Sequence, residues 1–217
     1  MKFSTRAKNM EPSATLAISG KAKAMKREGK PVISFGAGEP DFTSPKAALD
    51  AAKEAIDKGE THYTPATGIP ELKEEVAKYY ERRFGLKYNP SKEVIIGSGA
   101  KPLIFESLGC FVDPGDEVLI FAPAWVSYVE QIKLCGGKPV IIDTTQSNFL
   151  PSPSSIEASL TPNTRGMIIN TPSNPVGVVY PEETLKAIAD LVVKHDLWII
   201  YDEIYERLVY DGLEHIN

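Results

Sequence analysis

The chain reads as an α/β fold, a doubly wound and mainly parallel sheet flanked by helices and preceded by a helical arm. Three observations predict it. The stretch GMIINTPSNPVGVVYPEETLKAIADLVVKHDLWIIYDEIYER (166–207) holds two short β-branched runs, Met167–Ile169 and Leu197–Ile200, separated by a helical pattern. That is a βαβ unit, whose strands run parallel and whose crossover is right-handed. Strand-length apolar runs alternate with helical patterns along most of the chain, the signature of helices covering both faces of a sheet. A glycine turn, GSGAK (97–101), joins a predicted strand to a predicted helix, as βα units require.

Taken in order, residues 1–44 form an arm and entrance segment with one amphipathic helix, Ala14–Glu28, and residues 45–217 form the first part of a larger domain. Val32–Ser34 is a short strand. Ser44 and Pro45 open a helix to Lys58, with serine as N-cap and proline at the first helical position. His62–Pro70 is a loop, and Pro70 opens the next helix, to Phe84. Glu93–Ile96 is a strand and Ala100–Phe111 a helix, whose Pro102 is tolerable because its first turn has no intrahelical use for that N–H. Asp113-Pro114-Gly115 is a turn before the strand Glu117–Phe121. A helix (Val126–Leu134), a strand (Pro139–Ile142) and a helix near Pro153–Leu160 continue the alternation. Pro181, with Glu182 and Glu183, starts the helix of the βαβ unit.

Composition narrows the class. The 217 residues are 42% hydrophobic and 24% charged, ordinary for a globular protein with a substantial core. Net charge is −5, with no basic cluster that suits nucleic acid. Cys110 and Cys135 lack CxxC spacing and read as buried small hydrophobes in a reducing compartment. His62, His195 and His215 lack metal-ligand spacing. The first residues carry lysines and arginine without a following apolar run, so no secretory signal is expected. No apolar stretch approaches the ~20 residues of a membrane span, which makes the expected location cytoplasmic.

Chemistry is expected just beyond the carboxyl ends of the strands. Asn174 follows the first strand of the βαβ unit, and Asp202 and Tyr205 follow the second. An acidic loop after a strand is often only solvated, and DEIYE alone fits that reading. The amides of Gly99, Ala100 and Lys101 open a helix, where orphan N–H groups and the dipole favour an anion such as phosphate. Most such turns bind nothing. Trp125, at a strand end, either fills core or stacks on a ligand ring. Tyr63 is an exposed loop tyrosine or a ligand contact. Ser13 and Thr15 either cap a helix or approach a substrate. Gly38 either serves a turn or lets backbone approach a ligand.

Seven ordered blocks carry a resemblance: AGEPDF (37–42), HYTPATGIPEL (62–72), GSGAKP (97–102), DPGDEVLIFAPAWVSY (113–128), LTPNTR (160–165), NTPSNPVG (170–177) and YDEIYE (201–206). Together they resemble the pyridoxal-phosphate-dependent aminotransferases of the aspartate aminotransferase superfamily, over nearly the whole chain. The resemblance implies the large domain of that fold, incomplete, with pyridoxal phosphate as cofactor and amino acids and 2-oxo acids as substrates. It places Asp202 beside the pyridine nitrogen, whose protonation a buried carboxylate favours. Asn174 and Tyr205 go to the phenolic oxygen, Trp125 to the ring face, and Gly99, Ala100 and Lys101 to the phosphate. It implies a homodimer in which Tyr63 reaches the partner's phosphate site. It implies that Gly38, Ser13 and Thr15 approach the substrate. Lys101 matches a lysine associated with a distal substrate carboxylate, which favours aspartate or glutamate. The resemblance also implies cis peptides at Ala122–Pro123 and Asn174–Pro175.

The Schiff-base lysine of that family falls beyond Asn217, so no catalytic lysine is assigned. The chain is expected to be the N-terminal part of the enzyme, inactive alone, with a gap in the sheet beside Glu93–Ile96. Other readings stay open at this point. One is a carbon–sulfur lyase or aminocyclopropane-carboxylate synthase on the same fold. Another is a non-catalytic fragment that binds phosphate-bearing ligands or dimerises.

Overall fold

A computed structural model describes residues 2–217, the side chain of Ala14 excepted. The first residue of the predicted arm therefore lies outside the described residues. The chain divides into two compact units, residues 11–77 with 88–96, and residues up to 10 with 78–87 and 97–217.

The second of these holds a four-stranded parallel sheet. Its strands are β1 (Glu117–Ala122), β2 (Lys138–Asp143), β3 (Thr164–Asn170) and β4 (Trp198–Asp202). Their order is β2-β1-β3-β4, so the chain winds one way from β1 and then the other. Period-two alternation splits β1 between two cores. Leu119 and Phe121 join Met167, Ile169, Ile156 and Ile188 on one face. Val118 and Ile120 join Ile104, Leu108, Ile132 and Ile168 on the other. Helices thus cover both faces, as a doubly wound sheet requires.

The helices in chain order are α1 (Thr5–Lys8), α2 (Ala14–Arg27), α3 (Lys46–Asp57), α4 (Pro70–Phe84), α5 (Pro90–Glu93), α6 (Ala100–Phe111), α7 (Ser127–Leu134), α8 (Pro153–Ser159) and α9 (Glu182–His195). A 3-10 turn spans Thr145–Ser147. In the sheet unit, α6 and α7 lie on one face, and α8 and α9 on the other. No helix among the described residues is long and apolar enough to cross a membrane.

Several expectations need correction. Glu93–Ile96 is not a strand: Pro90–Glu93 forms a helical turn capped by Asn89, and Val94–Ile96 has no ladder partner among the described residues. Ile96 instead donates its N–H to the Thr67 carbonyl at 3.0 Å. Val32–Ser34 likewise forms no strand, because a short β-branched run stays irregular without a neighbouring ladder. The four strands pair as direct neighbours, with β2 and β4 at the edges. Pro45, not Ser44, is the N-cap of α3, and no side chain caps it. Cys110 is exposed and Cys135 partly buried, because α6 turns Ile104 and Leu108 inward and Cys110 away.

In the other unit, Gly68 has φ +100 and a Cβ there would meet Ile96 at 2.6 Å, so glycine is required for this close approach. Lys73 is buried and donates to Thr67 Oγ1 at 3.0 Å and to the Ser91 carbonyl at 3.4 Å. The loop carrying Tyr63 is thereby anchored at its Thr67 end.

Candidate active site

The topological switch point lies between β1 and β3, where parallel sheets place their ligands. A pocket opens there, lined by Pro123 and Ala124 after β1, and by Asn170, Ser173 and Asn174 at the end of β3, with Tyr128 beside them. The β3–β4 register pairs Asn170 with Asp202, so both loops leave the sheet at one level.

Asp202 is 8% exposed. Its Oδ2 accepts from the Tyr128 hydroxyl at 2.6 Å, and its Oδ1 from the Ile204 N–H at 3.1 Å. A buried carboxylate held by two donors keeps its direction. Burial raises the Tyr128 phenol far above its ordinary value of 10.0, and the Asp202 charge pushes the same way. The phenol therefore stays protonated and donating.

Asn170 links the loops: its Nδ2 donates to the Asp202 carbonyl at 3.0 Å, and its Oδ1 accepts from the Asn174 N–H at 2.7 Å. Asn174 Nδ2 in turn donates to the Tyr205 hydroxyl at 3.4 Å. That leaves one amide N–H and the phenolic O–H proton for a further acceptor.

Trp125 meets Tyr128 edge-on, with centroids 5.3 Å apart. The Lys101 ammonium sits 4.8 Å from the Trp125 ring centroid, a cation–π contact. Gly99 caps α6 with φ +98, and a Cβ there would meet nothing within 4 Å. The left-handed turn leaves the Ala100 and Lys101 amides without intrahelical acceptors and open space beside them. Gln131, buried on α7, donates to the Lys101 carbonyl at 2.7 Å and fixes that turn.

The structure thus brings Gly99, Ala100, Lys101, Trp125, Asn174, Asp202 and Tyr205 into the sheet unit, with Lys101 tied to Trp125 and Asn174 to Tyr205. The peptides Ala122–Pro123 and Asn174–Pro175 are cis, and so is Thr171–Pro172. Ser13, Thr15, Gly38 and Tyr63 belong to the other unit. Ser13 caps α2 by accepting from the Leu16 N–H at 3.4 Å. Thr15 lies in the first turn of α2, and Gly38 and Tyr63 are exposed. Tyr128, Asn170 and Gln131 were not legible from the sequence. Only the closeness of Tyr128 to Trp125, three residues apart across the start of α7, points to the first of them.

The family described as aminotransferase class I and II matches residues 30–217. An aspartate aminotransferase of Geobacillus stearothermophilus is 47% identical over 218 residues, all of this chain and 55% of that protein. A probable aspartate/prephenate aminotransferase of Thermus aquaticus is 43% identical over 97% of this chain and 55% of its own length. The chain therefore spans about half the length of these curated relatives. Among solved structures, an aspartate aminotransferase from Thermus thermophilus with maleate superposes with a TM-score of 0.96 at 41% identity, covering all of this chain and 56% of that one.

Proposed function

The chain belongs to the aminotransferase class I and II family, and from that premise we propose that the whole protein moves an amino group between an amino acid, aspartate or glutamate, and a 2-oxo acid. Members of the family are pyridoxal-phosphate enzymes. The residues present fit that cofactor. Asp202 offers a buried, doubly held carboxylate. Asn174 and Tyr205 offer two spare donors. The Gly99 turn offers open amides at a helix N-terminus. Ser173 keeps a buried hydroxyl without a protein partner at the same pocket.

When bound, the cofactor supplies an electron sink for cleavage of bonds at the amino acid's α-carbon. The chain's own residues tune and hold it. Asp202 would hold the ring nitrogen and favour its protonated form. Tyr128 neutralises none of that charge but fixes the Oδ2 direction. Asn174 and Tyr205 donate to the phenolic oxygen and favour its anion. Trp125 covers one ring face. Gly99, Ala100 and Lys101 receive the phosphate, and Tyr63 reaches that group from the other subunit of a homodimer. Gly38, Ser13 and Thr15 line the substrate entrance. Lys101 reads a distal carboxylate; a dicarboxylic substrate is supported by the similarity to the Thermus thermophilus enzyme solved with maleate, a dicarboxylate. Residues 1–44 act as the arm and 45–217 as the first part of the cofactor domain.

The observation that carries this reading is the Tyr128–Asp202–Asn170–Asn174–Tyr205 chain at the switch point, buried at its first three members and half-buried at the last two. The test is amino transfer by the full-length protein from aspartate to 2-oxoglutarate, followed by absorbance of the bound cofactor. Transfer, with tight cofactor binding that Asp202→Ala abolishes, is expected. Absence of both transfer and cofactor binding in well-folded protein would overturn it.

A further inference from the structure

The end of β4 and the turn that follows carry two pairs of residues at i, i+3 spacing. Residues three apart in a helical turn share a side. Asp202 and Tyr205 meet Tyr128 and Asn174. Glu203 and Glu206 form the other pair, and they meet α4. The Tyr80 hydroxyl donates to Glu203 Oε1 at 3.2 Å, and the Tyr79 hydroxyl donates to Glu206 Oε1. His215 Nε2 lies 2.5 Å from Glu203 Oε2, and Asn217 Nδ2 donates to Glu203 Oε1 at 2.6 Å. Arg207 Nε approaches Glu206 Oε1 at 3.1 Å, and Arg83 Nε is 3.9 Å from its Oε2.

The burial here is inverted. The Glu203 and Glu206 side chains are 12% and 17% exposed, while Ile204 between them is 60% exposed. A turn built only for stability would bury the isoleucine, because desolvating carboxylates costs free energy unless each is bonded. Carboxylate–phenol bonds give what apolar packing does not: a fixed direction and rotation of the turn. Burial, and then Glu206, raise the Tyr79 phenol above its ordinary value, so it remains a donor.

We propose that Glu203 and Glu206, gripped by Tyr80 and Tyr79 of α4, are positioning residues that set the orientation of Asp202 and Tyr205. This rests on the cofactor reading above for its consequence, and on the contacts alone for the clamp itself. Nothing in the clamp touches the ring; it acts through the shared backbone.

The experiment uses the full-length protein without and with pyridoxal phosphate. Amide hydrogen exchange of residues 204–208 is compared between wild type and Tyr79→Phe/Tyr80→Phe, and cofactor affinity is read by tryptophan quenching. Loss of two bonds to charged acceptors is expected to speed exchange in the turn about tenfold or more and to weaken cofactor binding about tenfold, with strand exchange unchanged. Glu203→Gln keeps the oxygen used by Tyr80 and Asn217 and, with neutral His215 accepting from the new amide at Nε2, should stay within about twofold of wild type, whereas Glu203→Ala should not. If the double variant does not fold, the single variants Tyr79→Phe and Tyr80→Phe give the same comparison. Unchanged exchange in the turn overturns the proposal. So does weakened binding that tracks a fall in Tm while turn exchange stays at the wild-type rate. Absence of cofactor binding in wild type would defeat the cofactor reading, while the exchange comparison would still decide the clamp.

Discussion

The two units bury different things. The unit of residues 97–217 sinks whole strands: Val118, Leu119, Met167 and Ile188 are essentially inaccessible. In residues 11–77 and 88–96 the buried residues, among those described, are Lys73, Ala77 and Val94, while Ile33, Phe35, Phe42 and Tyr63 are exposed. A parallel sheet closes on neighbours supplied by adjacent βαβ segments, so it can complete its core locally. A set of helices and loops has no ladder to enforce that, and here its large apolar side chains remain available surface. Apolar surface becomes an interaction face only where it is contiguous.

Breaking the sheet should therefore cost far more than trimming the other unit. Met167→Ala is expected to lose about 2–5 kcal/mol of unfolding free energy. Phe35→Ala, at a side chain 96% exposed, should change monomer stability by less than about 0.5 kcal/mol. Denaturant titration at low protein concentration measures both. Equal losses would end the contrast. A loss at Phe35 that grows with protein concentration would sharpen it, by locating an interface.

The second test asks whether the site shares the sheet's rigidity. Asp202→Ala leaves the Tyr128 phenol buried without its acceptor, which should cost about 1–3 kcal/mol in stability besides lost cofactor binding. Tyr128→Phe in the same background should restore part of that stability, as removing both partners does. Thermal unfolding of the two variants checks this.

The third concerns Lys101, exposed on the sheet unit with its ammonium over the Trp125 ring. Lys101→Ala should lower kcat/KM for aspartate and glutamate by about 1.5–3 kcal/mol relative to alanine or aromatic substrates. An equal loss for all substrates would assign the ammonium to the phosphate instead.

The smallest effect is electrostatic. Hydrogen bonds from Lys138 and Thr161 hold the Glu117 carboxyl below its ordinary value of 4.5, and the Asp113 amide and then Arg165 hold Asp116 below 3.8. A lowered folded value means stability present above the unfolded pKa and lost as pH falls through the folded one. Both groups lie in the sheet unit, so acid should weaken that unit as pH drops below about 4.5. Glu117→Gln should flatten the dependence in a urea series from pH 6 to 3.

Much of this architecture was legible in the sequence, for physical reasons that differ by element. The boundaries of α4 and α6 are signalled by Pro70 and by the Gly99 turn, features that act through local backbone chemistry. Glu93–Ile96 misled because β-branched content predicts only the capacity to pair, and pairing needs a neighbour. Among site residues, Asp202 and Asn174 were visible because strand ends mark the crevice. Tyr128 and Gln131 were not, because a helix facing a sheet presents tyrosine and glutamine for packing as readily as for bonding. Glu203 and Glu206 read as a solvated face; only tertiary contact with α4 shows that they point inward.

Asn170 has a consequence for precision. One side-chain amide holds the Asp202 backbone with its nitrogen and the Asn174 backbone with its oxygen. Two loops referenced to a single mark share its errors: a displacement of Asn170 carries both along in phase. The spacing between the carboxylate and the amide then fluctuates less than either does alone. Lengthening the segment after Gly177, or remodelling the surface beyond Arg207, would leave that spacing untouched. A single asparagine thus lets the periphery vary while the gap a ring must fit stays the same.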